Sequence, residues 1–76
     1  MESVQTPITK SSLIANGYKP HRLCGGIHLY EKDYIIVEII PFVNVVNIRT
    51  ESLTGGYPTL VKRIKSWEEL FEYINE

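Results

Sequence analysis

The run Tyr34 to Thr50, YIIVEIIPFVNVVNIRT, decides the fold. Taken two residues at a time, Ile35, Val37 and Ile39 share one face and Tyr34, Ile36, Glu38 and Ile40 the other, with β-branched residues at most positions. This predicts a buried strand. Pro41 lacks the amide hydrogen that a central ladder needs, so the strand is expected to end there and the chain to turn through Phe42 into a second β run, Val43 to Arg49. A hairpin alone is marginal in water, so the flanking sequence must cover and extend it.

Immediately upstream, Ile27 to Glu31 alternates Ile27 and Leu29 against His28 and Tyr30, which predicts a strand. Lys32-Asp33 is then expected to form a two-residue hairpin turn and pair the strands antiparallel. Downstream, Glu51 to Pro58 reads as a loop from its Ser, Thr, Gly-Gly and Pro content, and Thr59 to Ile64 as the last strand. Near the start, a short helix is expected from Pro7, capped by Thr9, with Ile8, Leu13 and Ile14 docking on the sheet and a stop at Asn16-Gly17. Tyr18 to Leu23 leads from that helix to the sheet. Ser66-Trp67-Glu68-Glu69 has the form of a capping box, and Trp67, Leu70, Phe71 and Ile74 then recur at helical spacing as one apolar stripe, leaving Glu68, Glu72 and Glu76 to water. The expected class is α+β: a single domain over residues 1–76, with 1–6 frayed. It holds an antiparallel sheet of about four strands flanked by a short N-terminal and a longer C-terminal helix, in the order α-β-β-β-β-α.

Composition narrows what such a domain can do. Seventy-six residues with 43% hydrophobic and 22% charged side chains suffice for one small core and leave no room for a core plus a roomy enclosed active site. The formal net charge of -1 and a pI of about 6.1 argue against nucleic acid as a partner. No apolar run approaches the ~20 residues that span a bilayer. The single Cys24 and an opening segment without an apolar stretch point to a reducing, cytoplasmic setting.

The two ends carry a resemblance. Ile8-Thr9, Leu13 and Asn16-Gly17-Tyr18, together with Ile64-Lys65-Ser66-Trp67-Glu68-Glu69-Leu70, resemble the short uncharacterised proteins common in gut bacteria, their phages and mobile elements. Those proteins open with a short helix ending in Asn-Gly-aromatic and close, after a small antiparallel sheet, with a helix that begins Ile-basic and runs into Glu-Leu. Trp67 stands where they have a small aliphatic residue, and Phe71 where they have Gln. The resemblance implies the α-β-α order and a phage or mobile-element origin, and it brings no activity with it.

Chemistry-bearing residues concentrate in His21-Arg22-Leu23-Cys24-Gly25-Gly26-Ile27-His28. A nucleophilic thiolate needs a neighbouring cation and an oriented base, and no Asp or Asn stands near Cys24 to orient one. Cys24 therefore reads as a small buried hydrophobe, and no catalytic residue is expected. His21, Cys24 and His28 are three metal-ligand types where structural zinc takes four, and a strand would send His21 and His28 to opposite faces, so neither metal nor cofactor is expected. Two Gly-Gly pairs, Gly25-Gly26 and Gly55-Gly56, precede strands without the Lys-Ser/Thr of a phosphate-binding loop. Lys62, Arg63 and Lys65 form the densest basic run, and Arg49 is expected beside it.

The strand that is apolar on both faces bears most directly on function. With helices on one face, Tyr34, Ile36, Ile40 and Phe42 would lie exposed on the other, and soluble monomers seldom leave such a patch open. The expectation is therefore a non-enzymatic protein-interaction module, a homodimer through this face or the adjoining edge strand, acting on a partner as an accessory or inhibitor protein. The alternative is a small-ligand or nucleotide-binding protein, with a pocket built from the Gly-Gly loops, Arg22, Arg49, Lys62 and Arg63 at a dimer boundary.

Overall fold

The structure, a computed structural model, describes residues 6–75, without the side chains of residues 22–24. Two helices lie against a five-stranded antiparallel meander in which each strand pairs only with its sequence neighbours. The α+β class and the element order stand, with one strand more than the sequence predicts. That strand is β1 (Lys19–Cys24), and it is followed by β2 (Ile27–Lys32), β3 (Ile35–Ile40), β4 (Val45–Thr50) and β5 (Thr59–Ile64).

Helix α1 (Lys10–Ala15) starts on a reciprocal cap: Ser12 N–H donates to the Thr9 hydroxyl at 3.1 Å and Thr9 N–H to the Ser12 hydroxyl at 2.8 Å. It ends in a Schellman motif. Tyr18 N–H reaches the Leu13 carbonyl at 2.9 Å and Gly17 N–H that of Ile14 at 3.1 Å, with Gly17 at φ 89°, where a side chain would be strained. Leu13 and Tyr18, which flank the motif, are both buried in the core, while Ile14 is exposed. Helix α2 (Trp67–Ile74) starts at Ser66, whose hydroxyl accepts from Glu69 N–H at 3.3 Å; the Glu69 carboxylate accepts from Lys65 N–H, one residue before the amide expected for a capping box.

Strand register sorts the side chains onto two faces. Tyr30, Val37 and Ile48 stand opposite one another in the ladder, as do Ile39, Val46 and Ile64, and this face receives the helices. Leu13, Trp67 and Leu70 complete that core, with Tyr73 packed at its margin. The expected stripe is half right: Trp67 and Leu70 are buried, whereas Phe71 and Ile74 are about half exposed, because α2 is phased toward Tyr73 instead. Trp67 is fixed further by an indole N–H donated to the Ser12 hydroxyl at 3.0 Å and an edge contact with Tyr18, ring centroids 6.0 Å apart. Thr6, expected at a frayed end, is pinned to the start of α2. It donates N–H and hydroxyl to Glu68 at 2.8 and 3.0 Å and accepts from Trp67 N–H at 2.9 Å. Glu68 is thus engaged as well as exposed.

The opposite face carries Leu29, Glu31, Ile36, Glu38, Asn47 and Arg49. Ile36, expected to be exposed, has no exposed surface in the single chain. The reason is that the sheet curls. In a flat sheet β1 and β4 stand about 14 Å apart, three strand spacings. Here His21, at a register shift in β1, lies 3.6 Å from Glu31 of β2 and 3.5 Å from Glu51 just after β4. The bend and the 51–58 loop close this concave face without a partner.

Candidate functional site

Two places concentrate unusual side chains. The first is the floor of the concave face, where Glu38 of β3 is 1% exposed. Asn47 donates to its Oε1 at 2.7 Å, Tyr57 from the β4–β5 loop donates its hydroxyl to Oε2 at 2.5 Å, and Arg49 Nε stands 3.0 Å from Oε1. That Arg49 N–H is not aimed along a hydrogen bond, so the pair is held by charge. Another guanidinium nitrogen, Nη1, donates to the Pro58 carbonyl at 2.8 Å, and the guanidinium lies 4.9 Å from the Tyr57 ring centre. Burial pushes the Glu38 carboxyl up, yet the hydrogen bonds from Asn47 and Tyr57 and the Arg49 charge outweigh it and hold it below the ordinary carboxylate value. An ionised, buried carboxylate with both oxygens partnered ties the loop to the sheet.

The second place is the β2–β3 hairpin tip. Lys32 pairs with Ile35, so the turn is Asp33-Tyr34, one residue later than predicted, with φ of 51° and 69°. Both central residues of this primed turn are left-handed, a conformation that Asp tolerates and Tyr does not, at a cost on the order of 1 kcal/mol. Tyr34 is consequently a tip residue and not a strand residue, and it is 85% exposed. Beside it runs a groove of about 270 Å³ lined by Tyr18, Lys32, Asp33, Ile35, Trp67, Phe71 and Ile74, among others. Lys32 braces the groove wall: its Nζ donates to the Asn16 carbonyl at 2.8 Å and lies 5.6 Å from the Tyr18 ring centre. Burial and the charge of Asp33 raise the Tyr18 phenol above its usual value, so its hydroxyl is neutral.

The other expected residues disperse. Phe42 is exposed in a 3₁₀ turn, Pro41–Val43, at the opposite end of β3 from Tyr34, and Ile40 is half-buried, so no continuous Tyr34-Ile36-Ile40-Phe42 patch exists. Gly25-Gly26 forms the β1–β2 turn and Gly55-Gly56 lies in the β4–β5 loop, at opposite ends of the meander, so one chain does not build a pocket from both. Arg49 is neutralised by Glu38. Lys62 stands opposite Ile48 and Arg63 opposite Asn47, which puts the two cations on different faces. His28 stands opposite Ile39 on the helix side, away from His21, and the side chains of Arg22 and Cys24 lie outside the described residues. The metal-ligand group that the fold does assemble among the described residues is His21, Glu31 and Glu51. Sequence spacing gave no sign of it, since it requires the curl. Among the described residues no helix is long and apolar enough to cross a membrane.

No family model, curated protein or solved structure matches this chain.

Proposed function

We propose that this chain is a non-enzymatic protein-interaction module whose contact surface is the Tyr34 tip with the adjoining groove, and that it pairs there with a second copy of itself. The observation that carries the reading is Tyr34, an aromatic ring held almost fully exposed by a backbone conformation that disfavours it. A turn under no other demand would carry Gly or Asn. The groove supplies a receptor of matching chemistry, with apolar walls from Ile35, Trp67, Phe71 and Ile74. A two-fold arrangement lets the tip of each copy enter the groove of the other. Full occupation of the Glu38 oxygens by its neighbours supports a structural, non-catalytic role for that carboxylate. An accessory or inhibitor protein of a phage or mobile element would act through such a surface, by covering part of a partner.

Sedimentation over a concentration series tests this. The wild type is expected to dimerise, and Tyr34→Gly to be monomeric with an equal or higher melting midpoint, since Gly relieves the left-handed strain. A wild type that stays monomeric throughout, or a Tyr34→Gly dimer as tight as the wild type, sinks the reading.

A further inference from the structure

Three segments distant in sequence bring one imidazole and two carboxylates together at the mouth of the curl. His21 sits at the β1 register shift, Glu31 in β2 and Glu51 after β4, and one ligand atom from each lies within 4.8 Å of the others. We infer that this trio binds a divalent transition-metal ion of the Zn2+ type, which clasps β1 to β2 and to the loop that follows β4.

Charge favours it. The two carboxylates carry -2, which a divalent cation cancels. The donor set of one nitrogen and two oxygens suits Zn2+, while Ca2+ and Mg2+ take oxygen ligands alone. Both carboxylates also have lone pairs to give: apart from His21, neither Glu31 nor Glu51 has a described hydrogen-bond or ion-pair partner, in contrast to Glu38. Ligands at about 2.0–2.2 Å from one tetrahedral ion stand about 3.5 Å apart, so side-chain rotation of about an ångström closes the set. Their side chains are 25%, 38% and 55% exposed, which lets an ion enter and keep water in its remaining positions. Only one ring nitrogen of His21 takes the ion.

Calorimetric titration of the chelator-treated full chain with ZnCl2, paired with thermal melts, decides the matter. The expected result is saturable binding of one equivalent, weakened at least tenfold in Glu51→Gln, abolished in His21→Ala and unchanged in Cys24→Ser. Zn2+ at about a hundredfold excess over Kd should raise the melting midpoint by about 10–20 °C. Glu51 is an exposed loop residue, so Glu51→Gln keeps the fold and reads the site alone. The inference is overturned by a wild type with no saturable binding, by undiminished binding in both Glu51→Gln and His21→Ala, or by loss of binding in Cys24→Ser, which would assign the ion to the thiol.

Discussion

On the helix-covered face, Val37, Ile39, Ile48 and Ile64 meet Leu13, Trp67 and Leu70 from outside the sheet. On the concave face, Leu29 and Ile36 are covered by the sheet's own bend, and the loop above them is tied down by a charged network instead of apolar packing. A strand that is apolar on both sides therefore signals curvature as readily as it signals a partner. What distinguishes the two cases is a polar residue at the bend's centre: here Glu38 sits between Ile36 and Ile40 on the face that an intermolecular interface would otherwise occupy.

The contrast can be broken from either side. The largest effect is expected on the helix face. Removing residues 66–76 strips Trp67 and Leu70 from the core, and it should abolish the cooperative thermal transition followed by near-ultraviolet circular dichroism. A truncated chain that still melts sharply near the wild-type midpoint would place the main core elsewhere. On the concave face, Glu38→Ala leaves the partly buried Arg49 beside no anion, strips Asn47 and Tyr57 of their acceptor, and should cost about 3 kcal/mol in denaturant unfolding. Combining Glu38→Ala with Arg49→Met should recover much of that loss; a double variant as unstable as the sum of its parts would show that the pair is not coupled.

The smallest effect is graded. The Glu38 carboxyl lies below its ordinary value of 4.5 in the folded state, so its stabilisation is fully present above that value and is lost as pH falls through the lower folded value. Wild-type melting midpoints should fall with acidification below about pH 4.5, and more shallowly in Glu38→Gln. Parallel slopes in the two proteins would assign the acid sensitivity to other carboxylates, with Glu68, also held below its ordinary value by Thr6, the next to test.

What was legible in the sequence follows the range of the forces involved. Thr9 and Ser66 caps, the Asn16-Gly17 stop, the Pro41 break and the β5 boundaries depend on neighbours within a few residues, and each was read correctly. Strand β1 was missed because Lys-Pro-His-Arg-Leu-Cys does not alternate, and the register shift at His21 removes what period it has. The hairpin turn was misplaced by one residue because no local preference puts Tyr at a left-handed position; register along Tyr30, Val37 and Ile48 overrides it. Burial of Ile36, and with it the partners of Glu38, was illegible because it depends on a loop residue 19 positions away and on curvature that no periodicity encodes.

The one-neighbour strand order has a kinetic consequence. Every strand pair in the meander closes a short stretch of chain, so each hairpin can form with little loop-closure entropy and the sheet can grow in sequence order. The bond between Thr6 and Glu68 spans 62 residues and costs more closure entropy than any of the hairpins. Docking of α2 is thus expected to follow hairpin formation, and a chain in which it is delayed would present Val37, Ile39 and Ile48 to any chain nearby.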